Sequence, residues 1–234
     1  MSKNLRFGFV AYEAILSCML AKRGFTGPVR VVEGDSGFRQ VILQGDMDLE
    51  RLTDFSGWRI MKTRLKRLPA NNSTIGHVLA TLAIVKEHDL KPEDIAAVRI
   101  KARLHQSRHT STPGKKYPKN AESADHSLFY TSAIAIKERA YGPESFAPEK
   151  FTDPVVLDLI EKITVEYDPS LTGTQGINEI TTRDGRQFQE RFEAPPTLTD
   201  REVEDKFREM AAKYMAEGQI QKLFDMVWNL DELD

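Results

Sequence analysis

From Gly8 to Arg23 almost every position is apolar, with Phe9, Val10, Ala11, Ile15, Leu16, Met19 and Leu20 spread around all sides of a helix. A helix without a polar face is one covered on most sides, and Gly24 is a fitting residue for its C-terminal end. After the turn "GFTGP" and the glycine-broken stretch "VRVVEGDSGFRQVI" the pattern changes. "WRIMKTRLKRLP" reads as a strand ending at Pro69, and "HVLATLAIVKEHD" as an amphipathic helix with Val78, Leu82 and Val85 at helical spacing. "IAAVRIKARLH" alternates, Val98, Ile100, Ala102 and Leu104 against Arg99, Lys101 and Arg103, which predicts a half-buried strand. A lysine-rich loop from Gly114 to Asn120 leads into a helix over about Ala124 to Ala140. "TDPVVLDLIEKI" predicts a short helix capped by Asp153 with Pro154 at its first position. "ITVEYDP" is a strand, and Asp184-Gly185 turns "NEITTRDGRQFQERFE" into a hairpin. Thr199 and Glu202 have capping-box spacing ahead of a stripe of Val203, Phe207, Met210 and Tyr214, and a last helix runs from Ile220 to Leu230. The order is a helix, then an α+β unit, then helices, without internal repeats.

Composition narrows the class. The 234 residues are 40% hydrophobic and 29% charged, an ordinary globular balance. A net charge of -2 gives no basic footprint for nucleic acid, and no aromatic platform accompanies the cations. One cysteine, Cys18, excludes an internal disulfide and a thiolate-held iron–sulfur cluster, and fits the cytoplasm. The first apolar run is short, carries Glu13 and lacks a small-residue cleavage site, so it reads as a core helix and not a leader, and no membrane-spanning segment is expected.

Three places carry candidate chemistry. His105 and His109 stand four apart, a metal-holding interval on a helix, but here they follow a strand and enter a loop, and no metal site is expected. Lys62, Arg64, Lys66 and Arg67 are either a solvated strand face or a clamp for a substrate's carboxylates. Asp125-His126 is either a helix start, with Ser123 or Asp125 as cap, or a catalytic pair at a helix N-terminus.

The ordered set "SKNLRFG", "LAKRGFTGP", "VVEGDSGF", "KRLPA", "YPKNAESADHSLFY", "DGRQFQERFE" and "DREVEDKF" resembles the MmgE/PrpD family, and the resemblance covers the whole chain. It implies an α+β fold, with an antiparallel sheet and helices forming a lid over residues 58–192. Residues 1–57 and 193–234 would then be parts of a helical domain, the rest of which would come from another chain. It implies a lyase acting on a tricarboxylate such as 2-methylcitrate by proton abstraction and water elimination, without cofactor or metal. The alternatives are a non-catalytic interaction subunit and an epimerase of an imino-dicarboxylate. Lys3, Lys66 and His126 are the implied catalytic positions, and Arg6 and Arg67 the implied substrate contacts. A tyrosine of the family's decarboxylases aligns near Thr112, which points away from that activity. Implied partners are a small carboxylic acid, a second copy of the chain and a supplier of the remaining helices, with no nucleic acid and no membrane.

Overall fold

The computed structural model of the chain describes residues 2–45, 47–194 and 197–232, with the backbone alone for residues 2–4, 49 and 59. It divides into two compact units, residues 1–63 and 64–234.

The first unit is dominated by helix α1, Ser2–Lys22. Its end is a Schellman motif: Gly24 adopts φ +89, its amide donates to the Ala21 carbonyl, and the Phe25 amide donates to that of Leu20. Two single helical turns, Phe38–Val41 and Leu49–Leu52, follow. The stretch from Trp58 to Pro69 is not the expected strand. It holds a 3-10 turn, Arg59–Lys62, whose bonds close locally, Met61 amide to Trp58 carbonyl and Thr63 amide to Ile60 carbonyl. Alternation there has no ladder to join, and Leu65 is left 54% exposed.

The second unit holds helices α2 (Asn72–Glu87), α3 (Leu104–Thr110), α4 (Leu128–Glu138), α5 (Pro154–Glu161), α6 (Asp200–Ala211) and α7 (Glu217–Trp228). Its strands are β1 (Ile95–Ala102), β2 (Ile163–Tyr167), β3 (Gly176–Thr182) and β4 (Gln187–Phe192). The α+β class expected from the sequence is the one observed. The sheet is mixed and open, in the order β2-β1-β3-β4. Its antiparallel pairs are β1–β3 and β3–β4, and the hairpin turns at Gly185, φ +87. β1 and β2 run parallel, Val98 opposite Ile163, because the chain between them crosses over through α3, α4 and α5 instead of a tight turn.

Alternation decides which face is covered. Val98, Ile100 and Ile180 point into a core shared with Ile75, Val78 and Val85 of α2, Leu128 and Ile134 of α4, and Leu159 and Ile160 of α5. The opposite face is polar, with Arg99 and Lys101 of β1 paired to Glu179 of β3. α2 lies so close to β3 and β4 that Gly76 and Gly176 both abut the Phe192 ring, and a Cβ at either would overlap it. Between them His77 is fully buried. Its Nδ1 meets Asn178 Oδ1 at 2.6 Å, and the Asn178 amide donates to the His77 carbonyl and to Thr81 Oγ1.

Candidate active site

The loop 64–71 enters α2 and carries two of the cations singled out in the sequence. Asn71 ends it as the helix cap, its side chain accepting from the Ser73 amide at 2.9 Å. Lys66 curls over the loop, Nζ donating to the Ala70 carbonyl at 3.0 Å. The next amide, Asn71, donates to the Asp125 carbonyl at 3.0 Å, and Thr74 Oγ1 reaches the same carbonyl at 3.3 Å. The Lys66 loop is therefore bolted to the backbone that carries Asp125 and His126, Asp125 lying 51 residues beyond Thr74 in sequence.

The helix expected from about Ala124 starts instead at Leu128, after Asp125-His126. A single turn, Ala121–Ala124, is capped by Asn120, and α4 starts afresh with Ser127 Oγ accepting from the Tyr130 amide at 3.1 Å. Asn120 and Ser127 cap, not Ser123 or Asp125. The Asp125 carboxylate is free to pair with His126 Nδ1 instead. His126 is only 7% exposed, and the His109 ring lies edge-on to it, centroids 5.5 Å apart. His109 in turn stacks on His105 at 5.9 Å. These two sit on helix α3 and not in a loop: β1 stops at Ala102, and the Arg103 amide and Gln106 side chain open a new helix. Among the described residues no group of three His, Cys, Asp or Glu side chains is placed to hold a metal. Nearby, the Tyr141 hydroxyl is buried without a hydrogen-bond partner. Burial, and then the Asp125 carboxylate and Tyr130, push its phenol above the ordinary range.

Arg67 turns the other way. Its guanidinium pairs with Glu202 of α6, and Lys206, one turn further along the same helix, donates to the Lys66 carbonyl. Glu202 is also the capping-box residue of α6, its Oε2 accepting from the Thr199 amide at 2.8 Å and the Thr199 hydroxyl at 2.9 Å. The Thr199 amide, then Arg67, hold its carboxyl down at about 2. A groove of about 480 Å³ runs between this loop, the segment Tyr141–Glu144 and α6, with Arg67, Tyr141, Lys206 and Lys213 in its walls.

Lys66, Arg67 and His126 all lie in the second unit. Arg6 is on the exposed surface of α1, and the Lys3 side chain lies outside the described residues. Sequence reasoning did not find His77, Tyr141 or the role of Glu202. The capping box was legible locally, but Glu202 pairs with a residue 135 positions away, for which no local pattern exists.

Residues 69–232 match the family model described as the MmgE/PrpD C-terminal domain. The chain is also similar to cis-aconitate decarboxylase of Homo sapiens, 26% identical over 251 aligned residues, which take in 100% of this chain and 51% of that protein. The Mus musculus protein of the same name is 25% identical, with 50% of its length covered. The chain thus spans about half the length of the curated relatives it matches.

Proposed function

This chain belongs to the MmgE/PrpD family, and from that premise we propose that it is the C-terminal portion of a lyase acting on a small di- or tricarboxylate. The reaction is of the 2-methylcitrate dehydratase type, and helices packed on its apolar surfaces complete the cleft. The observation that carries this reading is the run of contacts from Lys66 Nζ through Ala70 and Asn71 to the Asp125–His126 pair. It ties the segments that carry a cation and a carboxylate-held imidazole to one another. Elimination of water needs a group to take the proton α to a carboxylate and another to help the hydroxide leave. Asp125 holds His126 at Nδ1, and the His126 imidazole is the group that moves the proton in this reading. Lys66 has one ammonium proton on Ala70 and two more for substrate oxygens, where it offsets charge that grows in the transition state.

A second reading, decarboxylation, is supported by the similarity to the two cis-aconitate decarboxylases. One assay separates the two. The chain, assembled with the helices that complete it, is given 2-methylcitrate, citrate and cis-aconitate, and water loss is followed beside carbon dioxide release. Dehydration of the hydroxy acids is the expected result. Carbon dioxide from cis-aconitate alone would favour the second reading, and inertness on all three would remove both. Lys66→Ala should leave the circular dichroism unchanged and abolish turnover. Unchanged turnover would show that Lys66 has no part in it.

A further inference from the structure

Lys66 sits on a loop without regular structure, yet a group that must meet a substrate to within a fraction of an ångström needs rigid support. Two anchors of that loop are close in sequence, the Asn71 cap and the Lys66–Ala70 bond. The others are remote. Asp125 holds the Asn71 amide. Glu202 and Lys206 reach it from α6, four residues apart and so on one face of that helix: the Glu202 carboxylate takes Arg67, and the Lys206 ammonium takes the Lys66 carbonyl.

We infer that Glu202 and Lys206 are positioning residues, a tie from α6 that sets the backbone of Lys66, and that Arg67 acts through this tie. The inference rests on the reading that Lys66 meets the substrate. The two carboxylate oxygens of Glu202 divide the work. Oε2 closes the capping box of α6 and Oε1 takes the guanidinium. That division makes the tie separable from the stability of the helix. A glutamine still closes a capping box, because its one oxygen can accept from Thr199. Its amide nitrogen then faces Arg67 donor to donor. Glu202→Gln therefore breaks the tie and keeps the capping box, whereas Glu202→Ala loses the tie and the side-chain half of the box, leaving only the Thr199 cap. Lys206→Met removes the second strand of the tie and preserves the aliphatic stem.

The test uses the full chain and needs no turnover for its first arm. Exchange of the Ala70 and Asn71 amides, which donate to Leu68 and Asp125, should quicken at least tenfold in Glu202→Gln and in Lys206→Met, with exchange in α6 itself unchanged. Unaltered exchange in the loop overturns the inference. The second arm is kinetic, in the assembly that turns over. Glu202→Gln should lower kcat about tenfold with KM within about twofold, the signature of lost alignment and not of lost binding, and Glu202→Asp should recover part of it. A wild-type kcat in Glu202→Gln despite a loosened loop overturns the positioning role. If Lys66→Ala abolishes turnover in that same experiment, the reading of Lys66 survives and only this inference fails. Turnover that survives Lys66→Ala overturns both.

Discussion

Helices α1 and α4 are made of similar residues and live in opposite surroundings. In α1, Phe7 is 80% exposed, Phe9 61% and Ile15 62%. In α4, Leu128, Ile134 and Ile136 are fully buried against α2, α5 and the sheet. The difference is not in the helices but in what faces them. α4 has apolar layers on several sides, and the described part of the first unit offers α1 nothing comparable. An all-round apolar helix is a statement about its neighbours, and the described part of the first unit does not supply them for α1.

The largest consequence is for association. Ten large apolar side chains left half exposed forgo on the order of 10 kcal/mol at ~1 kcal/mol each, comparable to the whole stability of a domain, roughly 5–15 kcal/mol. The isolated chain should self-associate or capture a partner through α1, and a fragment beginning at Arg64 should melt cooperatively alone. Sedimentation of the full chain checks this. A sharply melting monomer at micromolar concentration would mean that the contrast between α1 and α4 has no energetic content.

Truncations put the same contrast on one scale. Ile134→Ala in α4 should cost about 2–5 kcal/mol in denaturant unfolding, since the site is close-packed on every side. Ile15→Ala in α1 should stay within about 0.5 kcal/mol, as an exposed substitution does. Equal costs at the two positions would mean that α1 has found a partner in solution.

Much of this core was legible in the sequence. The spacing of Val78, Leu82 and Val85, the alternation of β1, the Asp184-Gly185 turn and the Thr199 capping box all follow from local preferences, and each is found where the chain places it. Three features were not legible, for one shared reason. The Trp58–Pro69 segment alternates like a strand but has no partner, and a strand exists only as a pair. The α3 helix begins where the alternation of β1 seemed to continue into Leu104 and His105, because the strand ends with its ladder at Ala102. The Asp125–His126 pair forms where Ser127 takes over the capping, a choice between neighbouring polar residues that local pattern leaves open. In each case a long-range contact or a competing cap decided.

His77 sharpens the comparison through pH. Burial outweighs the Asn178 hydrogen bond and lowers its imidazole from 6.5 to about 4. The unfolded chain therefore takes up a proton near pH 6.5 that the folded chain refuses until about pH 4. Stability is unaffected above that window and is lost as pH falls through it, by at most about 1.4 kcal/mol per pH unit and about 3 kcal/mol in all. Glu202 and Asp153, whose carboxyls are held down, begin to lose their contribution only below their ordinary values of 4.5 and 3.8. Between pH 6.5 and 4.5 His77 therefore contributes a slope of this sign. The fragment beginning at Arg64 should show the slope and His77→Gln should flatten it. A slope that persists in the variant would place the proton elsewhere.

The smallest effect tests how α4 begins. Ser127 Oγ accepts the Tyr130 amide, and the Thr131 hydroxyl returns to the Ser127 carbonyl, so the first turn is satisfied within a buried environment. Ser127→Ala should cost about 1 kcal/mol, the ordinary value of a lost cap, and Ser127→Asp should retain much of the bond but bring a charge to a fully buried position. The aspartate variant is then expected to be the less stable of the two, the reverse of the order at an exposed helix start, where Asp caps as well as Ser. Thermal melts of the two variants decide it. If aspartate matches serine, the start of α4 is open to water and Asp125–His126 beside it is more solvated than its 7% exposure at His126 implies.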